Sequence, residues 1–339
     1  MNTPHDKRRP IDKLRDGAGS FEIRTPDDDS AISEIISTGD RLFVVKGKGV
    51  YEVKLADDVD PKRTNINAPN TIQKVLSYGA DDPWIGAVLL TGHHLLLSSC
   101  SPSNVDGNSA FGLMLKIAEE IAGAHQLVGK YHEAEGAATK SLDPKIRKDR
   151  TVVVPAIGSV ESRCNEFLLR SDHAFRELFR LVKMFYSDVG SGGWEGLKKK
   201  IDGGSRDIDN FPQFLAETVP FLQLIRNARN CVEHPRPEQR LVVEDFSLDP
   251  MNVVLPPIVE IIHPRTPLSR VPMSTFFTKT LQQIVRVVEL MVVFLCNRHV
   301  MSPGGFPVQV IEFPPEHRKS AHVRYGYDTV IGDQIVPMS

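Results

Sequence analysis

The residues best suited to chemistry lie in one short segment, Leu224 to Pro235. At about 100° per residue of α-helix, five of its polar side chains project towards one side of the helix axis. They are Arg226, Arg229, Asn230, Glu233 and His234. A guanidinium group holds phosphate through a planar fork of donors, and an imidazole exchanges protons near neutral pH. The combination forms one compact polar face on which such chemistry could take place, with a solvated helix face as the alternative.

The opposite side of the same helix is apolar, which predicts that it packs against neighbouring elements. This side carries Phe221, Leu224, Ala228, Cys231 and Val232. On the same projection Arg229 and His234 lie about 140° apart. A single chain would therefore converge poorly on one phosphate, and a second chain would have to supply one of the two groups.

Three long helices are predicted to position this segment. The first runs from Ser159 to Val189 and ends at the breaker Gly190-Ser191-Gly192-Gly193. The second runs from Asp209 to His234, where Pro235 ends it because the residue before a proline avoids the α region. The third runs from about Ser274 to Val300. The polar segment is thus expected at the C-terminal end of the middle helix.

The motif Arg229-Asn230-x-x-x-His234 resembles the Arg-x4-His signature of the HEPN family, in which an asparagine often follows the arginine. As in that family, the motif ends a long helix, with a long helix before it and another after it. The resemblance covers roughly residues 156–300. It implies a helical bundle that dimerises and sets two such motifs against each other as a metal-independent ribonuclease site.

The resemblance also implies roles for individual residues, with Arg229, Asn230 and His234 as the catalytic group. RNA supplies its own nucleophile in the 2′-OH. Arg229 would stabilise the charge that grows on the phosphorane, and His234 would exchange a proton with the 2′-OH or the leaving 5′-oxygen. Asn230 would orient His234 or the phosphate.

Further residues are expected to contact the substrate or complete the site. The expected substrate-binding residues are Arg226, Glu233, Arg236 and Arg240. Glu233 is also expected to pair with Arg226 or Arg229 and so reduce the local positive charge. On the preceding helix, Asp172 and His173 could complete the site, with an exposed face or a satisfied hydrogen bond as the alternative.

The resemblance therefore implies an endoribonuclease that cleaves RNA by attack of the 2′-OH, acting as a toxin or an antiviral-defence effector. The implied partners are RNA, a second copy of the chain in a homodimer, and an antitoxin or regulatory protein. No cofactor and no metal are expected. The alternative is a non-catalytic HEPN-like module for dimerisation or for binding RNA or nucleotides.

Composition limits the class of protein further. The 339 residues include 41 Lys and Arg against 43 Asp and Glu, for a net charge of -2. This balance excludes a basic coat over the whole chain, so any contact with nucleic acid must be local.

The four widely spaced cysteines, without a Cys-x-x-Cys pair, favour a reducing intracellular compartment. With no apolar run behind the N-terminal charges and only short, interrupted apolar stretches, a cytoplasmic protein without membrane contact is expected.

The expected fold class is mainly α, with a HEPN-like helical bundle and a smaller α+β N-terminal region. Residues 1–35 are expected to be a flexible arm, 36–150 an α+β domain with a β-hairpin and helices, 151–305 the helical bundle and 306–339 a β-like tail. The hairpin joins Arg41 to Val45 and Val50 to Leu55 through a glycine-rich turn. A capping-box pattern predicts a short helix from Asn70 to Ser77.

The remaining elements are predicted from periodicity and β-type composition. Helices are expected at Pro83 to Leu97, Ser109 to Glu133 and Trp194 to Ile201, and strands at Arg240 to Phe246, Val253 to Ile262, Val308 to Phe313 and His322 to Tyr327.

Overall fold

The chain divides into two compact units. The computed structural model describes residues 8–17, 23–25, 27–140, 148–204, 209–302, 305, 307–318, 320–331 and 334–337. Unit 1 comprises residues 1–86 with 320–322, and unit 2 comprises residues 87–319 with 323–339. The polar segment of interest therefore belongs to unit 2.

Unit 1 is built on a four-stranded antiparallel sheet. Its strands are β1 (Glu34–Thr38), β2 (Arg41–Val45), β3 (Val50–Lys54) and β4 (Thr71–Leu76), in the order β1-β2-β3-β4. The predicted hairpin is confirmed, since β2 pairs with β3 and Leu42 lies opposite Val53. Phe43 and its cross-strand partner Ile36 are fully buried, so they form part of the core on one face of the sheet.

Three short helices accompany this sheet: α1 (Pro10–Asp16), α2 (Ala56–Val59) and α3 (Pro83–Ile85). Helix α1 lies within the expected flexible arm. Its Arg15 binds Asp57 at 2.7 Å and Asp60 at 3.0 Å, so charge pairs hold this helix to the rest of unit 1. Residues 1–7, 18–22 and 26 of that arm lie outside the described residues.

The predicted helix from Asn70 to Ser77 is wrong, because strand β4 occupies this segment. Ile72 lies opposite Val53 of β3, so the segment extends the sheet. The capping-box pattern misleads because the Asn70 side chain does not cap its own segment. Its Oδ1 accepts a hydrogen bond from the backbone N–H of Ala56 at 2.7 Å.

Unit 2 contains the long helices. A π-helical turn, Gly86–Leu90, spans the division between the units, and the helices that follow are α4 (Thr91–Leu96), α5 (Gly107–Lys140), α6 (Val160–Phe185), α7 (Gly193–Asp202), α8 (Phe211–Glu233) and α9 (Met273–Arg298). Helix α6 packs against α5, α8 and α9. Phe167 of α6 lies 4.6 Å from Phe277 of α9 between ring centroids, and Phe175 of α6 lies 5.7 Å from Phe221 of α8. Aromatic side chains at helical spacing thus join the helices predicted from the sequence.

Three antiparallel sheets complete unit 2. Their strands are β5 (Arg240–Glu244), β6 (Ser247–Leu248), β7 (Val254–Leu255), β8 (Ile258–Ile262), β9 (Leu268–Pro272), β10 (Val308–Glu312), β11 (Tyr325–Ile331) and β12 (Gln334–Pro337). The sheet orders are β5-β8-β9, β6-β7 and β10-β11-β12. Strand β5 packs against α8 and α6, which fixes the chain where it leaves α8.

The expected fold class, mainly α with a HEPN-like helical bundle, is wrong. The chain is 51% helical and 18% strand, and its described residues form four small antiparallel sheets. It is a mixed α/β protein. The error has two causes. The β-type runs were expected to be isolated strands beside a bundle, but they pair with each other and form sheets. Further strands such as β9 were not predicted from the sequence.

The division at residue 86 does not coincide with the domain boundary expected near residue 150. Helices α5 and α6 lie on either side of that expected boundary and pack along each other. Helix α5 therefore belongs to the same unit as the polar segment.

Among the described helices, α9 alone is long and apolar enough to cross a membrane. Its most apolar 18-residue window has a mean hydropathy of 1.4, and 61% of that window is buried within the protein. A core helix meets the same criteria of length and composition. The helix is thus weak evidence for a membrane span.

Candidate functional site

Helix α8 presents the polar segment at its C-terminal end. Leu215, Leu222, Ile225 and Ala228 are buried and hold the helix on the core, whereas Arg226 is exposed. Ala228 and Cys231 are buried as the sequence predicted, while Phe221, Leu224 and Val232 are half-buried. The apolar side therefore fixes the orientation in which the polar side chains leave the helix.

Arg229 lies between two carboxylates. Its Nη2 pairs with Oε1 of Glu233, one turn later on α8. Its Nε lies 3.9 Å from Oδ2 of Asp172 on α6 and has no hydrogen-bond partner among the described residues. The Arg229 side chain is only 21% exposed. The guanidinium group is therefore held in a narrow space between the two helices.

Asp172 is the most deeply buried acid in contact with this segment, with its side chain 7% exposed. Arg176, one turn later on α6, places Nη2 at 2.6 Å from Asp172 Oδ2. Burial raises the pKa of the Asp172 carboxyl, although the charges of Arg176 and Arg229 act in the opposite direction. A buried carboxyl whose pKa is shifted by desolvation and by named charges is typical of functional sites.

His234 lies just beyond the end of α8 and is exposed, with 75% of its side chain accessible. Its backbone has φ -135° and ψ 61°, and its N–H donates to the Asn230 carbonyl at 2.9 Å. Its Nε2 lies 4.0 Å from Oε2 of Glu233. The 140° separation expected between Arg229 and His234 assumed a helical His234, so it does not apply. One carboxylate contacts Arg229 and lies beside His234 in the same chain.

The other predicted site residues are placed differently. Asn230 is half-buried, and its Oδ1 accepts a hydrogen bond from Arg229 Nη1 at 3.4 Å. Arg226 is exposed, Arg236 forms a backbone bridge with Gln239, and Arg240 begins β5. Among the residues that the structure describes, no hydrogen bond or ion pair joins these three arginines to Arg229, Glu233 or Asp172. They flank the site rather than form it.

His173 does not join Arg229. Its Nδ1 lies 3.5 Å from Oε1 of Glu120 on α5, so it faces the other side of α6. Arg176 joins the site although the sequence did not single it out. Its spacing of four residues from Asp172 on one helix is the signal that could have indicated it.

We call the group around Arg229 the Arg229 cluster. It consists of Asp172, Arg176, Arg229, Asn230, Glu233 and His234. Its two arginines and two carboxylates balance in formal charge. An anion that binds Nη2 of Arg229 must displace the Glu233 carboxylate, and the exposed imidazole of His234 can exchange a proton with it. Comparisons with protein-family models, curated proteins and solved structures find no match to this chain.

Proposed function

We propose that this protein is a metal-independent endoribonuclease of the HEPN type, with Arg229 and His234 as its catalytic residues. The observation that carries the proposal is the position of Glu233, whose Oε1 pairs with Arg229 Nη2 and whose Oε2 lies 4.0 Å from His234 Nε2. An anionic group at this place reaches both side chains at once. A phosphodiester has the charge and the paired oxygens for the same position.

The reaction would be an internal transesterification. The 2′-oxygen of RNA forms a bond to the adjacent phosphorus, and the bond from phosphorus to the 5′-oxygen breaks. One proton leaves the 2′-OH and one joins the 5′-oxygen, and His234 is the exposed group that can exchange them. Arg229 stabilises the added negative charge on the phosphorane. Asn230, hydrogen-bonded to Arg229, restricts the position of the guanidinium group.

The wider role remains part of the same proposal. Cleavage of cellular or viral RNA by this site fits a toxin or an antiviral-defence effector in the cytoplasm, held inactive by an antitoxin or regulatory protein. The exposed Arg226, Arg236 and Arg240 would contact the RNA backbone on either side of the Arg229 cluster. A homodimer would bring two such clusters to one RNA.

The test compares the native protein with Arg229→Ala and His234→Ala on a mixed RNA substrate in excess EDTA. Both variants are expected to lose at least about 100-fold in cleavage rate, the contribution typical of a positioned acid-base or charge-stabilising group. The melting temperature of His234→Ala should remain close to that of the native protein, because His234 is exposed. Arg229→Ala removes one of the two arginines beside the buried Asp172, so its melting curve is measured to show that the variant is folded at the assay temperature.

Two matched variants control for the loss of an arginine or a histidine elsewhere. Arg180→Ala removes an exposed arginine of α6, and His132→Ala removes a partly exposed histidine of α5. Both should cleave at the native rate. Equal cleavage by all five proteins, or cleavage by none under any condition tried, would show that the catalytic assignment is incorrect.

A second candidate is a non-catalytic module that binds RNA or nucleotides. The engagement of Arg229 by carboxylates from two helices favours it, because a paired guanidinium is less available to a reacting phosphate. In that case the native protein binds RNA in a fluorescence-anisotropy titration, Arg229→Ala weakens binding, and the RNA remains intact.

A further inference from the structure

We propose that Glu233 is an internal competitor of the RNA phosphate, occupying on Arg229 the position that the phosphodiester takes when RNA binds. This inference rests on the proposed function in taking RNA as the ligand. It adds that the structure shows a closed state of the site, which opens when the Glu233 side chain turns away.

The contacts of Glu233 match those required of a phosphate. Oε1 pairs with Nη2 of Arg229, while Oε2 lies 4.0 Å from Nε2 of His234. Carboxylate and phosphate present the same pair of acceptor oxygens to a guanidinium fork. The two anions therefore compete for Nη2 of Arg229.

The Glu233 side chain can turn away from Arg229, because it belongs to the last residue of α8 and is 33% exposed. An outward turn of the side chain places the carboxylate in water, which solvates the charge without a large penalty. The final turn of a helix also opens more readily than its interior.

Asp172 cannot act in the same way. It lies in the middle of α6 with its side chain 7% exposed, and Arg176 also holds its carboxylate. Its charge would remain buried if it turned away from Arg229, and a buried charge without a partner is costly. Asp172 therefore fixes the position of Arg229, and Glu233 is the mobile partner of the two.

The cluster gains a net positive charge when Glu233 is neutralised. Two arginines and two carboxylates balance in the native cluster, whereas Glu233→Gln leaves an excess of one positive charge at Arg229. Glutamine keeps the size and the hydrogen-bonding capacity of the side chain. The variant should therefore bind a polyanion more tightly at this site and nowhere else.

The experiment measures binding of a fluorescent, all-2′-deoxy oligonucleotide by anisotropy at fixed salt, a probe that transesterification cannot cleave. Glu233→Gln is expected to lower its Kd by about fivefold or more, which corresponds to about 1 kcal/mol. The matched control is Glu217→Gln, which removes an exposed carboxylate about four turns earlier on α8 and should leave the Kd within about twofold.

A double variant shows whether the effect acts through Arg229. In an Arg229→Ala background, Glu233→Gln should no longer tighten binding, because the competition takes place on that guanidinium. Glu233→Ala is a second variant in case glutamine lowers the melting temperature.

An unchanged or weaker affinity of both folded Glu233 variants would overturn the inference. An equal gain in affinity in Glu217→Gln would also overturn it, as would a gain in affinity that persists in the Arg229→Ala background. Cleavage of the matching RNA in EDTA is measured separately. If Glu233→Gln binds more tightly but the native protein cleaves no RNA, the inference that Glu233 competes with phosphate is supported and the proposed ribonuclease activity is wrong.

Discussion

At the scale of residues, the ionised carboxylate of Asp172 is less favourable in the folded protein than in the unfolded chain. Burial raises the pKa of its carboxyl even though Arg176 and Arg229 act against the rise. The pairing with two arginines thus does not offset the desolvation of the charged form. A buried carboxyl with a shifted pKa beside named charges makes Asp172 a candidate site residue.

Replacing Asp172 by asparagine tests this balance through the pH dependence of stability. Because the folded protein binds the Asp172 proton more tightly than the unfolded chain does, the native protein should gain unfolding free energy relative to Asp172→Asn as the pH falls from neutral towards about 4. Urea denaturation at a series of pH values measures the difference. A difference that is constant, or that changes in the opposite direction, would contradict the assignment.

Asp188→Asn is the control for that series of pH values, because the expected change in stability has the opposite sign. The hydrogen bond to Lys200 lowers the pKa of the exposed Asp188 carboxyl, so its favourable pairing is lost as the pH falls through the range of free aspartate. The native protein should therefore lose stability relative to Asp188→Asn as the pH falls below about 4, whereas its gain relative to Asp172→Asn develops above that pH.

The sequence could predict which residues of the cluster lie on α8, because neighbours on one helix share a surface whatever the rest of the fold. It predicted the pairing of Glu233 with Arg229 as one of two options. It could not decide between Asp172 and His173, since that depends on the rotation of α6 against α8. The sequence also could not predict the conformation of His234, because this residue lies outside the helix, just before Pro235.

At the scale of elements, one buried ion pair joins the end of α9 to the start of α8. Arg298 places Nη2 at 2.8 Å from Asp209 Oδ1 and Nε at 2.9 Å from Oδ2, and Oδ1 also accepts the N–H of Phe211 at 3.0 Å. The two side chains are only 11% and 9% exposed. This pair therefore fixes how the helix that carries the Arg229 cluster begins.

Arg298→Met should lower the unfolding free energy by about 3 to 5 kcal/mol, because it leaves the buried carboxylate of Asp209 without its partner. Chemical denaturation measures the loss. Arg180→Met breaks an exposed pair with Glu177 and should change the same quantity by less than about 1 kcal/mol. Equal losses in the two variants would mean that the pair does not hold the helices together.

The long helices could be predicted because apolar residues at helical spacing mark them over many turns, as in α6 and α9. The sheets could be predicted only in part, since the β2–β3 hairpin could be but β4 and β9 could not. Strand β4 exposes four consecutive residues, Thr71–Lys74, and so lacks the alternation that marks a half-buried strand. Strand β9 ends in Pro272, which weakens its β signal although the strand pairs along β8.

At the scale of the whole molecule, charge determines how RNA could be bound. The net charge of -2 excludes capture by a basic surface over the whole chain, and the Arg229 cluster itself is balanced. Under the proposed function, RNA binding depends on displacing Glu233 and on the few flanking arginines, so its affinity should be modest and local. Arg229 and His234, the pair proposed to be catalytic, lie on either side of one carboxylate of one chain, so the proposed site does not require a dimer to bring them together.

The chemistry of the cleaved ends tests the central claim most directly. Native protein is incubated with RNA in excess EDTA, and the product ends are identified by mass spectrometry, with His234→Ala alongside. The account predicts 2′,3′-cyclic phosphate and 5′-hydroxyl ends from the native protein and at least about 100-fold less product from the variant. Products with 3′-hydroxyl and 5′-phosphate ends, or identical products at an undiminished rate from His234→Ala, would contradict it.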